Sequence, residues 1–348
     1  MKENMSNHSP RVSIGLAVYN GETYLQETLD SILEQTFTDF ELIISDNAST
    51  DRTVEICQDY AARDSRIRFY QNDRNRGACW NQNRVYELAR GEYYKLAAHD
   101  DLCAPTFLAR CVEVLDQHPD VVVCYPQTLI INEQGEIQTQ YPDGKLIGNP
   151  NKHARPWQSW LSPLIGDGQL HLDSPCPSVR FRDIVCELGK CHPIFGLIRV
   201  SALKQTPGLQ AYSHADGVLL ARLALLGTFY QVPEVLFFSR EHPQQSSQRY
   251  RNRQKGGHDY HAYNVWWNPD NASKLCVPTW KIFSEFCLAA AESPITIPGK
   301  LGCYFAALRW LRGNWRSLLS EVQIVLRQQA GRRWQSWQPK RRSLVSND

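Results

Sequence analysis

Four short apolar runs punctuate the first hundred residues: Val12 to Tyr19 (VSIGLAVY), Glu41 to Ser45 (ELIIS), Ile67 to Tyr70 and Glu92 to Ala98. Between them, apolar residues recur at helical spacing: Leu25, Leu29, Ile32 and Leu33, then Val54, Ile56 and Tyr60, then the stretch Gly77 to Ala89. Short runs that are apolar throughout read as strands buried on both faces. Strands that alternate with helices at this spacing build βαβ units. The pattern therefore predicts an α/β fold with a mainly parallel central sheet and helices on both faces.

Val121 to Ile131 (VVVCYPQTLII) adds a strand or a bent pair, and the Gly-, Pro- and Asn-rich stretch Tyr141 to Arg155 reads as a loop or boundary. Beyond it, helices are expected near Trp157–Leu164 and Val179–Leu188, and strands at Phe195–Val200 and Val235–Ser239. Asp216 to Leu226 (DGVLLARLALL) reads as an amphipathic helix with Gly227 as its C-cap. The C-terminal third is helical in pattern.

In open α/β sheets, ligands bind outside the carboxyl ends of the strands. Four polar segments fall at that rim: Tyr19-Asn20, Asp46–Asp51, Arg74–Gly77 and His99-Asp100-Asp101. Gathered carboxylates repel one another unless a cation joins them. A hard divalent ion, Mg²⁺ or Mn²⁺, suits oxygen ligands of this kind and completes its shell with phosphates and water. The rim thus points to a phosphorylated substrate. Taken singly, Asp100-Asp101 and Asp46 also suit helix capping, and Asn20-Gly21 suits a plain turn. No GxGxxG follows the first run, and neither GxxxxGK[ST] nor GxSxG occurs, which argues against a dinucleotide fold, a P-loop and an esterase-type serine.

Composition narrows the class further. The chain has 348 residues and a net charge of +2. Residues 299–348 hold ten Lys/Arg against two acids, or +8, so the remainder sums to −6. A mildly acidic body with a basic tail implies no nucleic-acid partner but does imply that the tail meets something anionic. Eleven cysteines form no CxxC pair, and they read as reduced thiols; Cys186, Cys191 and His192 come nearest to a ligand cluster. Met1 to Pro10 shows no signal-peptide core, and no run of about 18 apolar residues occurs. A cytoplasmic protein, peripheral at the inner face of a membrane, is the expectation.

The stretch VSIGLAVYNGETYLQETLDSILEQTFTDFELIISDNASTDRT, followed by Asn75-Arg76-Gly77 after the third run and His99-Asp100-Asp101 after the fourth, resembles the opening of a family 2 glycosyltransferase of GT-A fold. The likeness is strong over 12–135 and continues more weakly to His242. It implies an inverting enzyme that takes a nucleotide-diphospho-sugar donor, most often a UDP-sugar, and uses Mn²⁺ or Mg²⁺. It implies donor contacts from Ala17, Tyr19, Asn20, Asp46, Arg76 and Asp100, with Asp46 on the base and Asp100 near the ribose. Asp101 and His242 match the metal positions. Asp216, opening its helix as Ala215-Asp216, matches the catalytic base, although alanine precedes it where the family carries an acid. Asp216 would equally complement a helix dipole, and His242 would equally be a surface residue.

The implied organisation is a flexible N-terminus over 1–10 and a GT-A domain over 11–245. Within it, 11–135 would bind the nucleotide-sugar and 136–245 the acceptor. A helical region over 246–330 and a basic tail over 331–348 follow. The acceptor would be a sugar or a lipid-linked sugar in cell-envelope polysaccharide or glycolipid synthesis. Leu301, Tyr304, Phe305, Leu308, Leu311, Trp315, Leu318, Val322 and Val325 follow helical spacing with interleaved arginines, which suits either an anionic membrane surface or packing on the domain. Two rivals remain in view. A sugar-phosphate nucleotidyltransferase would need a Gly-rich basic loop that VSIGLAVYNGE lacks, and a non-catalytic binding or scaffold protein would bind donor and turn nothing over.

Overall fold

A computed structural model describes residues 9–138, 170–252, 257–258, 260–274, 277–323 and 325–326. The loop expected at Tyr141–Arg155, the helix near Trp157–Leu164 and the basic tail over 331–348 lie outside the described residues.

The four apolar runs are strands: β1 (Val12–Val18), β2 (Phe40–Asp46), β3 (Ile67–Gln71) and β4 (Tyr93–Ala97). Between them lie α1 (Leu25–Leu33), α2 (Thr53–Arg63) and α3 (Ala78–Glu87). β5 (Leu102–Cys103), α4 (Phe107–Gln117) and β6 (Val121–Ile131) follow. Then come α5 (Pro177–Cys186), β7 (Leu197–Arg199), α6 (Ala215–Leu226) and β8 (Thr228–Arg240). The C-terminal part holds α7 (Tyr260–Trp267), α8 (Pro278–Glu292) and α9 (Ile297–Gly313).

One eight-stranded sheet runs in the order β3-β2-β1-β4-β7-β6-β8-β5. β3, β2, β1 and β4 are parallel, as is β6 with β8. β7 is antiparallel to both β4 and β6, and β5 is antiparallel to β8. Side chains alternate across the sheet, and β4 shows why both faces are covered. Tyr93 and Ala97 enter a core with α1, α2 and α4, while Tyr94 and Leu96 enter a second core with α5, α6, α8 and α9. The C-terminal helices α8 and α9 therefore share one apolar cluster with α5 and α6.

Helix α6 departs from the sequence expectation. It is apolar on nearly every side, with Ala215, Val218, Leu219, Leu220, Ala221, Leu223, Ala224 and Leu225 all buried. An all-round apolar helix is a core helix, not an amphipathic surface one. Gly227 does cap it, but in an extended conformation rather than a left-handed one. Its glycine is required by proximity: a Cβ there would lie 2.4 Å from Val122 Cγ1 and 2.6 Å from the Asp120 carbonyl. The Gly313-Asn314 pair also has a structural consequence, since α9 stops there and the chain turns helical again over 315–323.

Candidate active site

The loop after β4 does not run free. β5 pairs antiparallel with β8, with Leu102 opposite Phe238, and this pairing sets the end of β8 against Asp100 and Asp101. The Thr28 hydroxyl donates to the Asp101 carbonyl at 3.0 Å, and Gln35 Nε2 donates to the Ala104 carbonyl at 2.8 Å, so α1 fastens the loop from its other side. Neither aspartate caps α4, whose N-cap is Thr106.

Both carboxylates are buried, Asp100 at 7% exposure and Asp101 at 6%. Asp101 Oδ1 accepts the Arg240 backbone N–H at 2.9 Å. The Arg240 side chain, fully enclosed, donates to the carbonyls of Asp100 and Glu133 at 3.0 Å each, pairs with Glu27 at 2.5 Å and lies over the Tyr24 ring. Lys95, buried midway along β4, donates to the Phe195 carbonyl at 2.7 Å between the rings of Phe107 and Phe237. The protein's own cations thus offset part of the charge at this tip.

The other partner is His242. Its Nε2 lies 2.9 Å from Asp100 Oδ2, and its ring packs 4.9 Å from that of Tyr24. The sequence reading grouped His242 with Asp101; the structure brings it to Asp100. Burial alone would push the Asp100 carboxyl up, but the His242 hydrogen bond and the nearby charges of His99 and His242 hold it below its ordinary value. Burial, and then the repulsion of Asp100, push Asp101 well above its ordinary value. Adjacent carboxylates divide in this way when both cannot ionise together. Asp100 thus pairs with His242, while Asp101 is built into the frame through the Arg240 N–H.

Asp101→Ala should accordingly act on stability. It strips a buried acceptor from the Arg240 N–H, a loss of about 1–3 kcal/mol. Thermal unfolding checks this, and an unchanged melting temperature would show that Asp101 does not hold the frame.

The rim beside β4 is a net of asparagines. Asn81 on α3 donates to the Ser45 carbonyl at 2.8 Å and accepts from the Ser45 hydroxyl at 2.6 Å. Asn47 accepts the Arg76 N–H at 3.0 Å, and Asn20 Oδ1 accepts the Thr50 N–H at 2.8 Å. The ends of β1, β2 and β3 are thereby laced together, with Ala17 next to the last residue of β1. Asp46 is fully buried, and both its oxygens face the Ser49 N–H, at 3.1 and 3.3 Å. It shapes the turn after β2 and leaves Thr50 at the surface. Tyr19 is 39% exposed at the mouth. Arg76 pairs with Asp73 and stacks on Trp80, and its Nε is buried without a hydrogen-bond partner.

Asp216 stands in the first turn of α6, its side chain 40% exposed. Gly217 N–H donates to its Oδ1 at 2.9 Å, and His214 Nδ1 lies 3.9 Å away. His214 has a left-handed backbone (φ 63°), and its ring folds over Gly217, where a Cβ would meet it at 2.3 Å. Cys191, His214 and Asp216 bring ligand-type atoms within 4.8 Å of one another, so Cys191 belongs with these residues rather than with Cys186 and His192. Burial, then the charge of Asp216 and its hydrogen bond, push the Cys191 thiol well up. Among the described residues, the non-glycine residues with positive φ are Asn20, Ala48 and His214, and all lie at this rim or at the start of α6. Backbone strain of this kind collects at functional sites.

Two consecutive residues link the β4 tip to Asp216. Lys190 pairs with Glu241, next to His242, at 2.5 Å, and Cys191 bonds to Asp216. The stretch Lys190-Cys191 thus touches both Glu241, beside His242, and the half-exposed carboxylate of Asp216. Lys95, Asn81 and His214 had no place in the expectation from the sequence, and Cys191 was grouped with other partners. Lys95 was the one signal available, as a lone cation inside an otherwise apolar run.

The mixed sheet of this order, with helices on both faces, is of GT-A type. Two solved structures share it. S. aureus TarS 1-349 in complex with UDP-GlcNAc superposes with a TM-score of 0.55 over 86% of this chain and 72% of that one, at 18% identity. Mannosyltransferase PcManGT from Pyrobaculum calidifontis, in complex with GDP-Man and Mn²⁺, gives 0.51 over 93% and 76%, at 17% identity.

The family model described as Glycosyl transferase family 2 matches residues 13–184, and the chain belongs to that family. It is 33% identical over 138 residues to the uncharacterized glycosyltransferase MJ1057 of Methanocaldococcus jannaschii, covering 39% of this chain and 48% of that protein. It is 37% identical over 161 residues to the uncharacterized glycosyltransferase EpsJ of Bacillus subtilis, covering 43% and 46%. The chain thus spans about half the length of these relatives.

Proposed function

We propose that this protein moves a sugar from a nucleotide-diphospho-sugar to a hydroxyl acceptor, with inversion at the anomeric carbon. The observation that carries this reading is the buried Asp100–His242 pair at the end of β4, with the stretch Lys190-Cys191 touching both Glu241 beside it and Asp216. The donor would lie along the laced ends of β1 to β3, with its base near Tyr19 and the turn shaped by Asp46. Its diphosphate would face Asp100, with Arg76 as a neighbouring cation.

The donor set at the tip fits a divalent ion. The Asp100 carboxylate offers the oxygen ligands that Mn²⁺ and Mg²⁺ take, and the His242 imidazole in contact with it adds a nitrogen that the softer Mn²⁺ accepts more readily than Mg²⁺. Asp100 and His242 would hold it, and Asp101 would orient the loop that carries Asp100. Such an ion, when bound, offsets the negative charge that gathers on a departing diphosphate.

The remaining chemistry belongs to Asp216. It is exposed, and the Gly217 N–H orients it. Asp216 takes the proton of the acceptor hydroxyl as that oxygen bonds to the anomeric carbon. The bond from that carbon to the diphosphate oxygen breaks, and the nucleoside diphosphate leaves with its electron pair. The acceptor on this reading is a sugar or lipid-linked sugar of envelope polysaccharide or glycolipid synthesis. UDP-sugars are the first donors to try, followed by GDP-mannose, since proteins of this fold hold UDP-GlcNAc and GDP-Man.

A donor panel with Mn²⁺ or Mg²⁺ tests the reading. One nucleotide-sugar should raise the melting temperature and release nucleoside diphosphate when acceptor is added. Binding without release across varied acceptors would favour a non-catalytic binding protein. No binding of any nucleotide-sugar would remove the reading.

A further inference from the structure

We infer that the C-terminal helices seat the protein on an anionic lipid surface through one continuous apolar row. This rests on the shape of α9 and stands independently of the glycosyl-transfer reading. Helix α9 is inside out: its small residues Cys303, Ala306 and Ala307 are the buried ones, and Gly302 approaches Ser178 of α5 closely. Tyr304 and Trp310 pack against the core, but four large apolar residues point outward: Ile297 at 75%, Leu301 at 62%, Phe305 at 51% and Leu308 at 55% exposure.

The row does not end at Asn314. Trp315, Leu319, Val322 and Leu326 are exposed beyond it, and Arg312 fills the one intervening position. Positions 297, 301, 305, 308, 312, 315, 319, 322 and 326 advance by three or four residues each time, the period of a single helical face. Monomeric proteins rarely leave apolar patches of this extent uncovered.

Charge selects the occupant. Arg312 and Arg316 are exposed along the row, and the Arg316 guanidinium lies 5.4 Å over the Trp315 ring. Glu321 is the sole acid between 297 and 326 in the sequence, and it is turned inward, accepting the Thr279 N–H at 2.8 Å at the start of α8. Past residue 326 the sequence adds Arg327, Arg332, Arg333, Lys340, Arg341 and Arg342 against Asp348 alone. A second copy of this face would oppose cation to cation. Anionic headgroups neutralise them while the acyl boundary takes the apolar row. Among the described residues no helix is long and apolar enough to cross a membrane, so the contact lies along the surface.

Vesicle flotation of the full chain tests this. With about 30% phosphatidylglycerol in phosphatidylcholine the protein should float, and with phosphatidylcholine alone binding should fall about tenfold or more. The triple variant Leu301→Gln, Phe305→Gln, Leu308→Gln should lose about tenfold or more while keeping its melting temperature, since those side chains are exposed. Arg312→Glu with Arg316→Glu should lose binding to the anionic vesicles in the same way. Absent flotation, equal binding to neutral vesicles, or a triple variant that binds like the parent would overturn the inference. So would a dimer in solution that the triple variant dissolves, because the row would then belong to a second copy.

Discussion

Asp216→Asn is expected to lower sugar transfer by about 10²–10⁴-fold and to leave donor affinity where it was. The amide has the size of the carboxylate, and its carbonyl oxygen still accepts the Gly217 N–H that now reaches Oδ1. The side chain stands open at the start of α6 rather than in the core, so the fold has little to lose. What disappears is a group able to take a proton from the acceptor hydroxyl. Steady-state kinetics with a matched calorimetric titration of the donor separate the two quantities. A variant that binds nucleotide poorly but transfers at the parent rate once saturated would place Asp216 in the donor site instead.

The second large effect is expected at Asp100. Asp100→Asn removes the carboxylate that pairs with His242, the one proposed to hold the metal. Transfer efficiency should fall roughly 100-fold, or about 2.7 kcal/mol, and nucleotide affinity should cease to depend on Mn²⁺. Comparison with Asp101→Ala isolates the two roles. The Asp101 variant should melt lower because the Arg240 N–H loses its buried acceptor, whereas Asp100→Asn should melt near the parent. Donor affinity that remains Mn²⁺-dependent in Asp100→Asn would mean that the charges at the end of β4 serve the frame alone.

The division between those two aspartates shows where reading residues in order runs out. His99-Asp100-Asp101 was visible as a costly cluster of charge at a strand end. Which carboxylate meets His242 depended on β5 pairing with β8, a contact of two residues with two others far along the chain. Lys95 looked like a blemish in an apolar strand and proved to be a buried cation packed between two aromatic rings. Asp46, expected beside the base, is enclosed and accepts the Ser49 N–H, which fixes the turn after β2. Helix α6 looked amphipathic because Arg222 interrupts it, yet Arg222 only reaches out to Glu285 and Glu292 of α8 while the rest is core.

Local chemistry along the chain was enough to determine the alternation of strands and helices, the two covered faces of the sheet and the set of polar segments at its rim. Those features follow from side-chain period and turn residues, which act over a few positions and are written directly in the sequence. The pairing of Asp100 with His242, the contacts of Lys190 with Glu241 and of Cys191 with Asp216, and the outward turn of Ile297, Leu301, Phe305 and Leu308 were decided only in three dimensions. Each depends on which distant strands and helices meet, and that choice is made by the packing of the whole core rather than by any one segment.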